Sequence, residues 1–217
     1  MQTLQADKVC VRTTVGRARI VIVCDLESIA LDATLRFLDE ASRELVGEQI
    51  YCFTFDFVPE ENWLSAAIGT EERLLEMARE YQSSGYGSTD GDPIAALAEW
   101  LRWSSPQDGW LMLPDSSAFD RLNNCILGQL EKSKLELYGG HLIDLTKRTL
   151  LNEAFDQRLM EMTQGRRVPK LRVYTSQFLI PEVIPWAKET NPPEIFEAFC
   201  AEVGRWSELD RQITNAQ

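Results

Sequence analysis

Between residues 51 and 100 the chain carries ten carboxylates, Asp56, Glu60, Glu61, Glu71, Glu72, Glu76, Glu80, Asp90, Asp92 and Glu99, opposed only by Arg73 and Arg79. Clustered carboxylates serve two kinds of chemistry. A close pair can divide general-acid and general-base work, as in glycoside hydrolysis, but this needs a separation that sequence spacing does not fix. An unpaired cluster can instead meet a basic partner through charge complementarity. Asp56, Glu60 and Glu61 fall together at one end of an expected hairpin and are the candidate partner-binding residues. Most of the other acids read as solvated helix faces.

Other reactive patterns are thin. The one histidine, His141 in "YGGHL", would have to carry any Ser-His-Asp or Cys-His mechanism, and no local residue pairs with it, so it reads as structural or solvated. "GYGSTDG", Gly85 to Gly91, lacks the lysine of a phosphate-binding loop and follows a helix rather than a strand, so it reads as a flexible loop. Asp90 and Asp92 have no EF-hand continuation. Cys10, Cys24, Cys52, Cys125 and Cys200 are odd in number, scattered and without a CxxC pair, which fits buried thiols in a reducing compartment. Arg166, Arg167, Lys170 and Arg172 form a small basic cluster that reads as a solvated turn. No catalytic residue, metal ligand or cofactor is assigned.

The stretch "AEWLRWSSPQDGW" holds Trp100, Trp103 and Trp110, three of the six tryptophans. Trp100 and Trp103 are spaced i, i+3 and so are neighbours on a helix, with Trp100 flanking a Leu97/Leu101 stripe. This favours a core corner, an aromatic clamp holding a helix end to a sheet, over an exposed aromatic anchor.

These residues need a frame. With 217 residues, 44% hydrophobic and 26% charged, the chain suits a single domain with a substantial core, residues 1–28 forming a peripheral segment. A net charge of −12 argues against nucleic acid and anionic membrane surfaces and for a basic partner. The N-terminus lacks the apolar run of a signal peptide, and the longest apolar stretch, Ile20 to Cys24, is too short for a bilayer, so a cytoplasmic location is expected.

"ARIVIVC" reads as a strand, followed by a helix with Leu31, Leu35, Leu38 and Leu45 near one face and Gly47 as its stop. "QIYCFTFDFV" is the strongest strand, with Tyr51, Phe53, Phe55 and Phe57 expected on one face. "WLSAAIG" pairs with it through Pro59–Asn62. Thr70 caps a helix with a Leu74, Leu75, Ala78, Tyr81 stripe, and Asp92-Pro93 opens another with Ile94, Leu97, Ala98 and Leu101, ended by Ser104-Ser105-Pro106. Ser117 and Asp120 resemble a capping box before Leu122 and Ile126. One helix is expected through Leu145, Leu151, Phe155, Leu159 and Met162, then a strand in "KLRVYTSQF", then a last helix with Ile195, Phe199 and Val203. The sum is an α+β, helix-rich single domain with a small antiparallel sheet.

"IYCFTFDF", "AAIGTEERLLEMAREY", "LRWSSPQDGW…FDRLNN" and "WAKETNPPEIFEAF" occur in that order. The series, over residues 30 to 203, resembles the bacterial domain-of-unknown-function family numbered 4303, matching at Tyr51–Phe57, Thr70–Glu72, Arg102–Pro106 with Trp110, and Asn191–Pro192. The chain departs from the family's pattern at Gly69, where Asn is usual, and in a longer loop from Ser83 to Asp92. The resemblance implies an immunity protein of a polymorphic toxin system, which neutralises a cognate toxin domain by binding it and has no established catalytic residues. It also implies that Trp100, Trp103 and Trp110 belong to the scaffold. The other readings are an enzyme using clustered carboxylates and a general protein-interaction scaffold.

Overall fold

The structure, a computed structural model, describes residues 8–15, 18–58, 63–85, 93–103, 109–127, 144–172 and 180–216. Strands β1 (Lys8–Val15) and β2 (Ala18–Asp25) pair antiparallel as a two-stranded sheet of their own. Asp25 ends β2 and caps helix α1 (Leu26–Glu44), its carboxylate accepting from the Ser28 N–H at 3.3 Å. Glu27 in the first turn and Arg43 in the last complement the helix dipole.

The buried face of α1 is Leu26, Ile29, Ala30, Ala33, Thr34, Phe37, Leu38 and Ala41. Leu31 and Leu35, both only partly buried, flank this stripe rather than define it. The helix closes at Leu45, and Gly47 takes φ +84°, a left-handed position that suits a residue without Cβ.

Strand β3 (Ile50–Val58) pairs antiparallel with β4 (Trp63–Thr70), Phe53 opposite Ile68 and Asp56 opposite Ser65. The connection at 59–62 lies outside the described residues. A bulge between Ile50 and Cys52 corrects the expected alternation. It turns Tyr51 to the opposite face from Phe53, Phe55 and Phe57. Strand β5 (Trp110–Met112) pairs with the second half of β4, and β6 (Lys170–Leu171) lies beside β3, giving the order β5-β4-β3-β6. β6 runs parallel to β3, so the sheet is mixed rather than antiparallel. Helical segments lie between β3 and β6, and a parallel neighbour needs such a crossover connection.

Helices cover both faces. Helices α1, α4 (Asp120–Leu127), α5 (residues 144–150) and α6 (Glu153–Met162) share one core with Phe53, Phe55, Leu64 and Ile68. Helices α2 (Glu71–Ser83), α3 (Pro93–Leu101), α7 (Ile180–Thr190) and α8 (Pro193–Ala216) share the other with Tyr51, Cys52 and Ala67. The expected α2 stripe holds at Leu74 and Ala78, while Leu75 stays exposed. The helix expected through Leu145 and Met162 is two: Leu151 is exposed at the break, and Asn152 caps α6 by accepting from the Ala154 N–H. Ahead of α4 it is the Ser116 hydroxyl, not Ser117, that accepts a backbone N–H, that of Ala118. The sequence pattern does not announce α7, because Pro185 within it interrupts the period. No helix among the described residues is long and apolar enough to cross a membrane.

Candidate functional site

β5 pairs with Ala67, Ile68 and Gly69, and among the described residues the first half of β4 has no strand on that side. Asn123 of α4 covers part of this edge. Its side chain accepts from the Leu64 N–H at 3.0 Å and donates to the Leu64 carbonyl at 2.9 Å, taking the place of a neighbouring strand residue. The same helix end brings Phe119 beside Phe37 of α1, with ring centroids 6.0 Å apart.

Beside that edge lies an open pocket of about 540 Å³. The pleat places Asp56, Trp63 and Ser65 on one face of the hairpin, and Met112 joins them from β5. Phe37, Ala66 and Phe119 reach the pocket from the other side, and residues 113, 114 and 116 close it beyond β5. Among the described residues Asp56 is the only ionisable group lining it. That residue is 8% exposed, and among the described residues no lysine or arginine forms an ion pair with it. Burial pushes its carboxyl up to about 6, against the opposing effect of a hydrogen bond from the Phe57 backbone N–H. Trp63 stands at the same site, 37% exposed. Glu60 and Glu61, the other two candidates from the sequence, lie outside the described residues, as do Asp90, Asp92, His141 and residues 86–91 of the glycine loop.

The tryptophans sit elsewhere, on the α2/α3/α8 face. Trp103 is 1% exposed and Trp110 is buried. Tyr51 meets both edge-on, at 5.9 Å and 5.6 Å between centroids, and Trp103 packs on Phe199 at 4.9 Å. Arg102 lies 4.5 Å over the Tyr51 ring while pairing with both oxygens of Glu71 at 2.8 Å and 2.6 Å. Trp100 is half-buried against Tyr81, and its carbonyl accepts from the Trp206 indole at 2.6 Å. Aromatic surface here joins α3 and α8 to the sheet.

A second cleft, about 860 Å³, lies between α6 and the end of α7. The expectation of a solvated basic turn holds at Arg166 and Arg167, which are exposed, and is corrected at Lys170 and Arg172. Lys170 is 6% exposed and Arg172 is 4% exposed. Lys170 donates to Asp156 at 2.8 Å and to the Leu150 carbonyl at 3.1 Å. Arg172 pairs with Glu189 at 2.7 Å and Asp144 at 3.1 Å. Asn191 accepts from the Lys170 N–H and donates to the Lys170 carbonyl, both at 2.8 Å, as Asn123 does with Leu64. These charges and amides satisfy one another, so the cleft is a braced seam; the carboxylate at Asp56 has no such counterpart among the described residues. The sequence offers no sign of Asn123, Lys170 or Asn191 as positioning residues, since each acts on a segment distant in the chain.

Among the described residues no three His, Cys, Asp or Glu side chains come together as metal ligands. No protein-family model matches the sequence, and neither a curated protein nor a solved structure matches it significantly.

Proposed function

We propose that the chain is a non-enzymatic binding protein for a basic protein partner, acting as an immunity protein that neutralises a toxin domain by occupying it. The observation that carries the reading is Asp56. A nearly buried carboxylate with no cation beside it among the described residues is costly to hold charged, and a partner's cation would offset that cost on binding. The exposed Trp63 beside it supplies the aromatic surface typical of an interface anchor. The net charge of −12 would draw a basic surface to this face. The toxin assignment rests on the family resemblance.

One observation favours an enzyme as the second reading: a carboxyl titrating near 6 in a pocket suits general acid-base work. A two-carboxylate mechanism would need a second acid, and none lines the pocket among the described residues.

Capture of the product of the adjoining gene by the purified chain tests the proposal. A stable complex, together with survival of cells that express both, is expected. Loss of capture in Asp56→Lys with an unchanged circular dichroism spectrum would place the contact here. An adjoining product that neither binds nor harms the cell would overturn the reading.

A further inference from the structure

We infer that the pocket beside the free half of β4 is a receptor for an alkylammonium group, filled by one lysine side chain of a basic protein partner. This deepens, and rests on, the reading of the chain as a binder of such a partner.

The wall chemistry selects the ligand. Asp56 supplies one negative charge at 8% exposure, and among the described residues nothing else lining the pocket is charged. The rest is largely apolar and aromatic: Phe37, Trp63, Met112, Pro114 and Phe119. A lysine carries a four-carbon apolar stem with its charge confined to the tip, so its stem suits such walls and its tip suits the carboxylate. Aromatic faces also attract a cation.

Ser65 and Ser116 line the same pocket and add hydroxyl acceptors. An ammonium has three donors and no acceptor, so a carboxylate with two hydroxyls can satisfy it fully. A planar guanidinium has five donors, of which a bidentate carboxylate meets two, so the same carboxylate and two hydroxyls would leave donors unsatisfied. The volume, about 540 Å³, lies within the range of ordinary ligand pockets. The larger cleft makes no equivalent offer: the carboxylate of Asp156 already holds Lys170 at 2.8 Å, and Glu153, Glu161 and Glu189, which also line it, are exposed.

The test uses the whole chain and needs no partner. N-acetyl-lysine methylamide is titrated into the protein and followed by NMR at the Trp63 indole and the Met112 methyl, at pH 7.5 and pH 5. N-acetyl-norleucine methylamide and N-acetyl-arginine methylamide are the controls. The lysine compound is expected to shift both signals saturably at millimolar concentration, and the norleucine compound is not. Asp56→Asn should weaken lysine binding at least tenfold at pH 7.5. Wild-type binding should weaken several-fold at pH 5, where the Asp56 carboxyl is protonated; among the described residues it is the only titratable group lining the pocket. Asp115 nearby is exposed and lies outside that lining.

Equal binding of lysine and norleucine, equal binding by Asp56→Asn, or absence of any saturable shift overturns the proposal. Arginine binding as tightly as lysine overturns the preference for ammonium. Should the asparagine variant misfold, Ser65→Ala with Trp63→Ala provides a second perturbation of the same walls, and undiminished lysine binding there also overturns it. Failure of the probe with successful capture of a partner rejects the receptor alone. Lysine binding without a captured partner leaves the receptor standing and rejects the binder reading.

Discussion

Asp56 is held against its own preference. Its carboxyl titrates near 6 when folded and near 3.8 otherwise, because burial penalises the charged form. A group whose folded pKa is raised stabilises the fold below its unfolded pKa, and that contribution is lost as pH rises through the folded value. The window here runs from about 4 to about 6. Above it, charged Asp56 is a burden that a neutral residue of the same shape removes. Asp56→Asn should therefore raise stability at pH 8 by roughly 1–3 kcal/mol, with the gain vanishing by pH 3.5, as urea unfolding at both pH values would record. A variant less stable than wild type at pH 8 would mean that the carboxylate has a stabilising partner. Stability surrendered at one residue is a mark of function. The sequence singles out Asp56 through local charge and its place near a hairpin end, but cannot show its burial. That burial depends on where β5 stops and on Phe119 arriving with α4, both set by contacts distant in the chain. Lys170 and Arg172 mislead for the same reason: a run of basic residues looks solvated until the acids of α5, α6 and α7 close around it.

At the scale of the element, Gly69 links the bulge in β3 to the aromatic cluster. A Cβ there would lie 2.4 Å from the Tyr51 ring. That ring cannot retreat, since Trp103, Trp110 and Arg102 surround it. This gives a physical cause for glycine at position 69. Gly69→Ala should destabilise by about 2–4 kcal/mol through overpacking. Combining it with Tyr51→Leu should cost clearly less than the sum of the two single changes, because the smaller side chain frees the space the methyl needs. Thermal unfolding of the four proteins in the cycle measures this, and additive costs would mean that the Tyr51 ring is not what excludes a side chain. Neither the bulge nor the flip of Tyr51 is visible in a sequence whose aromatics alternate without interruption. Strong local signals do carry through: the β3–β4 hairpin, the Thr70 cap and the α3 stripe all lie within one or two elements. The broken helix does not, because the Leu145 to Met162 spacing continues smoothly across Asn152, whose capping bond is formed by geometry rather than periodicity. The three-residue β5 is too short to show a period.

Across the whole molecule the charge and the pocket have separable effects. Net charge acts at long range and steers approach, whereas a filled pocket acts at contact and slows departure. Glu76 and Glu80 lie exposed on α2, outside the Asp56 pocket. Reversing both to Lys adds two charges at each position and moves the net value from −12 to −8 without touching the pocket walls. If the partner is basic, this variant should associate several-fold more slowly at low salt and dissociate at the wild-type rate. Asp56→Asn should do the opposite, keeping most of its association rate and dissociating at least tenfold faster. Salt should erase the first difference and leave most of the second. The screening length falls from about 10 Å at 0.1 M to about 3 Å at 1 M, which removes steering but barely weakens a charge pair in a desolvated pocket. Surface plasmon resonance with the captured partner, run from about 0.05 to about 1 M salt, resolves the two rates. If association of the α2 variant matches wild type at every salt concentration, the charge of α2 has no part in steering the partner, and recognition is left to contact at the pocket.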